Sequence, residues 1–165
     1  MTERTLCFSG YRPEKLNIDE VRLTKMLDGA IADAIRDGYT HFISGMARGF
    51  DMLAARAVLN ARQKGAPVFL ECALPFESQA SAWSHEDIAE HKYIRQNANR
   101  LTVVCEEAKP ESYLRRNRYM VEQSAMLICY FDGQPGGTAY TRRYAKKRGL
   151  GIVNLAPFDE QLSFA

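Results

Sequence analysis

Three short glycine-bearing segments hold the residue types that bind a phosphate, and each follows an apolar run. The first is Ser9-Gly10-Tyr11-Arg12-Pro13. Gly10 lets the backbone turn tightly or approach a ligand, and Arg12 offers a planar fork of donors that suits phosphate oxygens. The second is Ser44-Gly45-Met46-Ala47-Arg48-Gly49-Phe50-Asp51. Gly45 and Gly49 free the chain so that its N–H groups can cradle an anion, with the start of a helix adding partial positive charge. Ser44 adds a hydroxyl, and Asp51 reads either as the helix cap or as an acceptor for a ribose hydroxyl. The third is Asp132-Gly133-Gln134-Pro135-Gly136-Gly137-Thr138, where Gly136, Gly137 and Thr138 again sit at a helix start. None of the three is G-x-x-x-x-G-K-[ST] or G-x-G-x-x-G, which argues against a Walker-type NTPase and an ordinary NAD site.

These segments need elements to hold them. Residues 4–9 read as a strand. Residues 19–37 read as a helix with Asp19 as cap and Gly38 beyond its end, its apolar residues at helical spacing. Strands are expected at 40–44, 67–74, 101–105, 126–131 and 150–155, and helices at 51–64, 84–97, 111–124 and 138–148. The runs PVFLECAL and LTVVC are apolar enough for strands buried on both faces, with Glu71 the flaw in the first. Strands alternating with helices predict an α/β fold: a Rossmann-like three-layer α/β/α arrangement with a mostly parallel sheet, over residues 1–165 as one domain. In such sheets ligands bind outside the carboxyl ends of the strands. The second and third loops are therefore expected to aim their amides at one shared anion.

Composition narrows the classes. The chain has 165 residues, 46% hydrophobic and 25% charged, with a formal net charge of +2, too weak to argue globally for nucleic-acid binding. Cys7, Cys72, Cys105 and Cys129 lie in or beside apolar runs with no C-x-x-C pair, and read as buried thiols of a reducing compartment. His85-Glu86 starts like a zinc motif, but Ala89 stands where the second histidine belongs, so no metal site is expected, and no cofactor. No run approaches the length of a membrane span and MTERTLCFSG shows no signal peptide, so no membrane partner and a cytoplasmic location are expected.

CFSGYRPEKL, SGMARGFDMLAA, LPFESQASAW, RNRYMV and GGTAYT, in this order, resemble the YpsA-like family of the SMF/DprA–LOG (SLOG) superfamily, from roughly Thr5 to Leu155. The resemblance implies a Rossmann-like fold that binds a nucleotide or nucleotide derivative through Ser9, Gly10, Arg12, Ser44, Gly45, Gly49, Asp51, Gly136, Gly137 and Thr138, with Gln79 and Asn117 as weaker candidates. It also makes a homodimer a candidate assembly. The LOG branch cleaves the bond between base and ribose phosphate and carries P-G-G-x-G-T-x-x-E. In the matching stretch Ala139 replaces the third glycine and Arg143 stands at the glutamate's place. Glycosidic cleavage needs a carboxylate; Glu71 and Glu77 are the substitute candidates. The DprA branch binds single-stranded DNA. Here the basic clusters Arg115, Arg116, Arg118 and Arg142, Arg143, Lys146, Lys147, Arg148 read either as solvated helix faces or as nucleic-acid contacts. The expectation favoured is an ADP-ribose-like nucleotide sensor. A phosphoribohydrolase-type enzyme and a single-strand binder are the alternatives.

Overall fold

The computed structural model describes residues 4–158. Its strands are β1 (Thr5–Ser9), β2 (His41–Ser44), β3 (Phe69–Leu74), β4 (Arg100–Val103), β5 (Met126–Cys129) and β6 (Gly151–Asn154). Its helices are α1 (Glu20–Arg36), α2 (Phe50–Gln63), α3 (His85–Asn97), α4 (Pro110–Glu122) and α5 (Gly137–Lys147), with a 3₁₀ turn at Pro13–Lys15. All neighbouring strands pair in parallel, in the order β4-β3-β2-β1-β5-β6. Helix α2 packs against α1 and α3 and against β1, β2 and β3; α4 and α5 pack together against the sheet as a second group. This is the Rossmann-like layering that the alternating pattern predicts. Chain order runs outward from β1 to β4, then returns through α4 to β5 on the other side of β1. The carboxyl ends of β1 and β5 thus form the point where the topology switches.

Local chemistry explains the ends of the elements. Asp19 accepts the Arg22 amide at 2.9 Å and caps α1, and Ser84 caps α3 by accepting the Asp87 amide at 3.2 Å. Gly38 follows α1 at φ +97°, a conformation that disfavours a side chain. The core is fully buried at Leu6, Phe8, Leu23, Leu27, Phe42, Phe50 and Leu70. All four cysteines are buried, and burial pushes the thiols of Cys7, Cys72 and Cys129 up to about 12.

One strand differs from its expectation. LTVVC reads as buried on both faces, yet β4 is the sheet's outer strand and Leu101 and Val103 are exposed. It pairs with β3 along one edge alone and is not buried between two helical layers. Among the described residues no helix is long and apolar enough to cross a membrane.

Candidate functional site

A cavity of about 500 Å³ lies at the topological switch, within the size range of small-molecule sites. The β1 loop lines it with Ser9, Gly10, Tyr11 and Arg12, and the 3₁₀ turn with Glu14 and Lys15. Asp51 comes from α2, Arg116 and Asn117 from α4, and Pro135, Gly137 and Thr138 from the β5–α5 loop. The structure therefore joins the first and third loops. Tyr11 fastens them: its hydroxyl accepts the amides of Asp132 and Gln134 at 3.0 and 3.2 Å. Lys15 Nζ donates to the Pro135 carbonyl at 3.0 Å, and Gln134 Nε2 donates to the Lys15 carbonyl at the same distance.

The start of α5 is open. Gly136 is its N-cap, at φ +131° and ψ −155°, and has no side chain to cap with. The first intrahelical bond runs from the Tyr140 amide to the Gly136 carbonyl, so the amides of Gly137, Thr138 and Ala139 meet no acceptor among the described residues. Such amides, aligned with the helix dipole, are a ready anion site. Gly137 and Thr138 face the cavity; Gly136 sets the turn behind them.

The second loop is built for another purpose, and here the expected shared cradle is corrected. Ser44 Oγ donates to the Asp51 carbonyl at 2.7 Å and accepts the Met46 amide at 3.2 Å. The Gly45 carbonyl accepts from Gln79 Nε2 at 3.0 Å and from Arg116 Nη1. The Phe50 amide donates to Tyr11 O at 3.1 Å and the Met52 amide to Ala47 O at 3.2 Å. Gly49, at φ +87°, lets the loop press on the first one, since a Cβ there would lie 2.6 Å from Tyr11 O. Ser44, Gly45 and Gly49 therefore hold the scaffold and do not line the cavity; Ala47 and Asp51 do. Gln79 is likewise internal, bonded to Gly45 and to His91 Nε2 at 2.9 Å.

Asp51 is not the helix cap; Gly49 is, and Asp51 stands one residue inside α2, 5% exposed. Burial pushes its carboxyl up to about 6, against the pull of the Arg116 charge and of the Ala47 and Gly10 amides, which face it. Arg116, read from sequence as part of a surface cluster, is buried; Arg115 and Arg118 beside it are exposed. Its Nε donates to Asn117 Oδ1 at 2.7 Å, and Nη1 donates to the Gly45 and Ala73 carbonyls. One helical stripe, Ser112, Arg116, Asn117, Met120 and Val121, is the buried face of α4. The helical phase they share with Met120 and Val121 is the signal by which Arg116 and Asn117 could be found. Lys15 and Glu14 had only their closeness to Arg12 to mark them.

The two substitute carboxylates lie outside the cavity. Glu71 accepts from Tyr119 Oη at 2.5 Å and Thr102 Oγ1 at 2.8 Å, and lies 2.9 Å from His41 Nε2 and 3.5 Å from Arg100 Nη1. Burial alone would raise its carboxyl, but the bonds of His41, Tyr119 and Thr102 hold it below the usual range. This network explains the acid in an apolar strand. Glu71→Ala is expected to cost about 2 kcal/mol at neutral pH. Because the folded carboxyl ionises below its ordinary range, that stabilisation is present at pH 7 and lost as pH falls through the folded pKa. Urea melts of both proteins should show the gap closing in acid. Glu77 is exposed and paired with Arg95 at 2.7 Å. The carboxylates that do line the cavity are Asp51 and Glu14, the latter bonded to Arg48 at 2.6 Å. Of the aromatic side chains beside the loops, Phe50 is fully buried, Tyr140 stacks on Tyr144, and Trp83 meets His91 edge-on. Among the described residues no three His, Cys, Asp or Glu side chains converge as metal ligands.

Comparison with known proteins agrees with this fold. A family model, YpsA, described as the YspA SLOG family, matches residues 6–150. The uncharacterized SPbeta prophage-derived protein YoqJ of Bacillus subtilis (strain 168) is 30% identical over 122 residues, 67% of this chain and 71% of YoqJ. A UPF0398 protein of Bacillus thuringiensis (strain Al Hakam) is 23% identical over 155 residues, 88% of this chain and 84% of its own. The fold is similar to that of DNA processing protein A (DprA) from Streptococcus pneumoniae, with TM-score 0.61, 14% identity and 91% of this chain covered. DprA from Helicobacter pylori, which has a single-stranded DNA binding mode, gives TM-score 0.63, 16% identity and 90% coverage. The chain spans 50% and 64% of those two DprA chains.

Proposed function

This chain belongs to the YspA SLOG family, and on that footing we propose that it binds a nucleotide or nucleotide derivative, with a phosphate seated on the first turn of α5. The observation that carries this reading is the set of unpaired amides at Gly137, Thr138 and Ala139, opening on a cavity that Arg12 and Lys15 also line. Three backbone donors, a helix terminus and two cationic side chains match a phosphate in number and sign. An ADP-ribose-like ligand fits the same description and makes a sensor or regulatory module the favoured role.

Gly137→Asp tests it. A Cβ at Gly137 would meet only Asn117 Nδ2, at 3.9 Å, so the variant should fold. An aspartate in the first turn even suits the helix dipole. Its carboxylate, however, occupies the anion's place. Calorimetry against AMP and ADP-ribose should show wild-type binding and an affinity about tenfold or more weaker in the variant. Equal affinities, or no wild-type binding, would remove the proposal.

A second reading, single-stranded DNA binding, is favoured by one surface. Arg115 and Arg118 on α4 and Arg143, Lys146, Lys147 and Arg148 on and after α5 are all exposed, and α4 packs on α5. Oligonucleotide affinity that falls steeply with salt, and that drops in an Arg143→Glu, Lys147→Glu double variant, supports it. Affinity indifferent to both changes does not.

A further inference from the structure

We infer that Asp51 reads a sugar hydroxyl, so that the site takes ribosyl phosphates in preference to their deoxy counterparts. The inference rests on the proposed phosphate seat at α5 and specifies the ligand further.

The starting point is an acceptor without a donor. Asp51 is 5% exposed and lines the cavity through that margin, while its Oδ1, turned inward, closes no hydrogen bond among the described residues. A carboxylate oxygen left unmet in a protein interior is costly. Each group around it falls short. The Gly10 and Ala47 amides hydrogen-bond the carboxylate, but no bond reaches Oδ1. Arg116 supplies charge, but its hydrogen bonds go to Asn117, Gly45 and Ala73. Arg12 acts only as a more distant charge. Cys7, packed behind, is a thiol held neutral by burial.

The ligand is therefore asked for a donor at this end of the cavity. A second phosphate oxygen does not serve, because it brings like charge to a carboxylate. A hydroxyl does, and in a phosphorylated sugar hydroxyls lie beside the phosphate. The seat at Gly137 and Thr138 takes the anion, and Asp51, on the same cavity, takes the O–H. The two ends of the site then have opposite electrostatic character, which orients the ligand and excludes chains of bare phosphates.

The test compares AMP, 2′-deoxy-AMP and 2′,3′-dideoxy-AMP by calorimetry, with inorganic sulfate as an anion probe. Wild-type protein at pH 7.5 should bind AMP about tenfold or more tighter than the dideoxy form. That ratio should shrink as pH falls through about 6, where the Asp51 carboxylate takes up a proton. Ionisation of the ligand's own phosphate cancels in the ratio. Lys15, Glu14, Tyr113 and Arg12 share the cavity and act on all three nucleotides alike. Asp51→Ala should abolish the preference while binding sulfate at least as tightly, because a negative charge beside the anion seat is gone. Asp51→Asn should leave any remaining preference independent of pH. Equal affinity for the three nucleotides in wild type, or a preference that survives Asp51→Ala, overturns this inference and leaves the phosphate seat standing. Failure of wild type to bind any nucleotide or sulfate overturns both.

Discussion

Replacing Gly10 with alanine should destabilise the protein by about 3 kcal/mol or more, lowering the melting temperature by roughly 10 °C for a domain of this size. A Cβ at this position would lie 2.6 Å from Phe50 Cβ and overlap the Phe50 ring. That ring is fully buried and packs edge-on against Phe8 with centroids 6.5 Å apart. The backbone cannot retreat either, because the Phe50 amide is held by Tyr11 O at 3.1 Å. Gly10 therefore marks a close crossing of the β1 loop and α2, at the floor of the cavity. Gly29 provides the contrast. It lies within α1 with nothing inside 4 Å of an added Cβ, and Gly29→Ala should gain about 1 kcal/mol. Thermal and urea melts of the two variants read the difference; similar behaviour would mean that the crossing is looser than described.

The second large effect has the opposite sign. Asp51→Asn should stabilise the ligand-free protein at pH 8, by up to about 3 kcal/mol. The folded carboxyl ionises at about 6 in place of 3.8, and raising a pKa by one corresponds to about 1.4 kcal/mol. For an acid whose folded pKa is raised, the penalty of the buried charge is complete above that pKa. It fades as pH falls through about 6 toward 3.8, below which both states are protonated. The gap between variant and wild type should thus be widest at pH 8 and closed near pH 4. A variant that is less stable than wild type at pH 8 would show that the carboxylate holds the apo fold together. A gain, with loss of ligand discrimination, is the pattern of a residue kept for binding at the expense of stability.

The amino-acid sequence carried most of the architecture, for reasons that particular residues make plain. Asp19, Ser84 and Gly38 are local signals, and they mark the ends of α1 and α3 as their chemistry requires. The apolar run of β3 announces a strand buried on both faces, and five of its six residues are buried. Position in the sheet is not local, which is why β4 has an apolar sequence and an exposed edge. The site divides in the same way. Gly137 and Thr138 were legible because a glycine pair before a helix leaves amides uncapped. The fate of the Phe50 amide was not, because its acceptor, Tyr11 O, lies elsewhere in the chain, and neither was that of the Gly45 carbonyl, which Gln79 and Arg116 claim. Arg116 shows the same limit: next to Arg115 and Arg118 it looks like one more surface cation, and only its helical phase turns it inward.

If α5, and not α2, presents the anion-binding amides, backbone amide NMR during an AMP titration will show it most directly. Large, saturable shifts are expected at Gly137, Thr138 and Ala139, with Met46, Phe50 and Met52 little moved because their protons are already held by Ser44, Tyr11 and Ala47. Shifts concentrated between residues 46 and 52, with the start of α5 silent, would contradict this assignment.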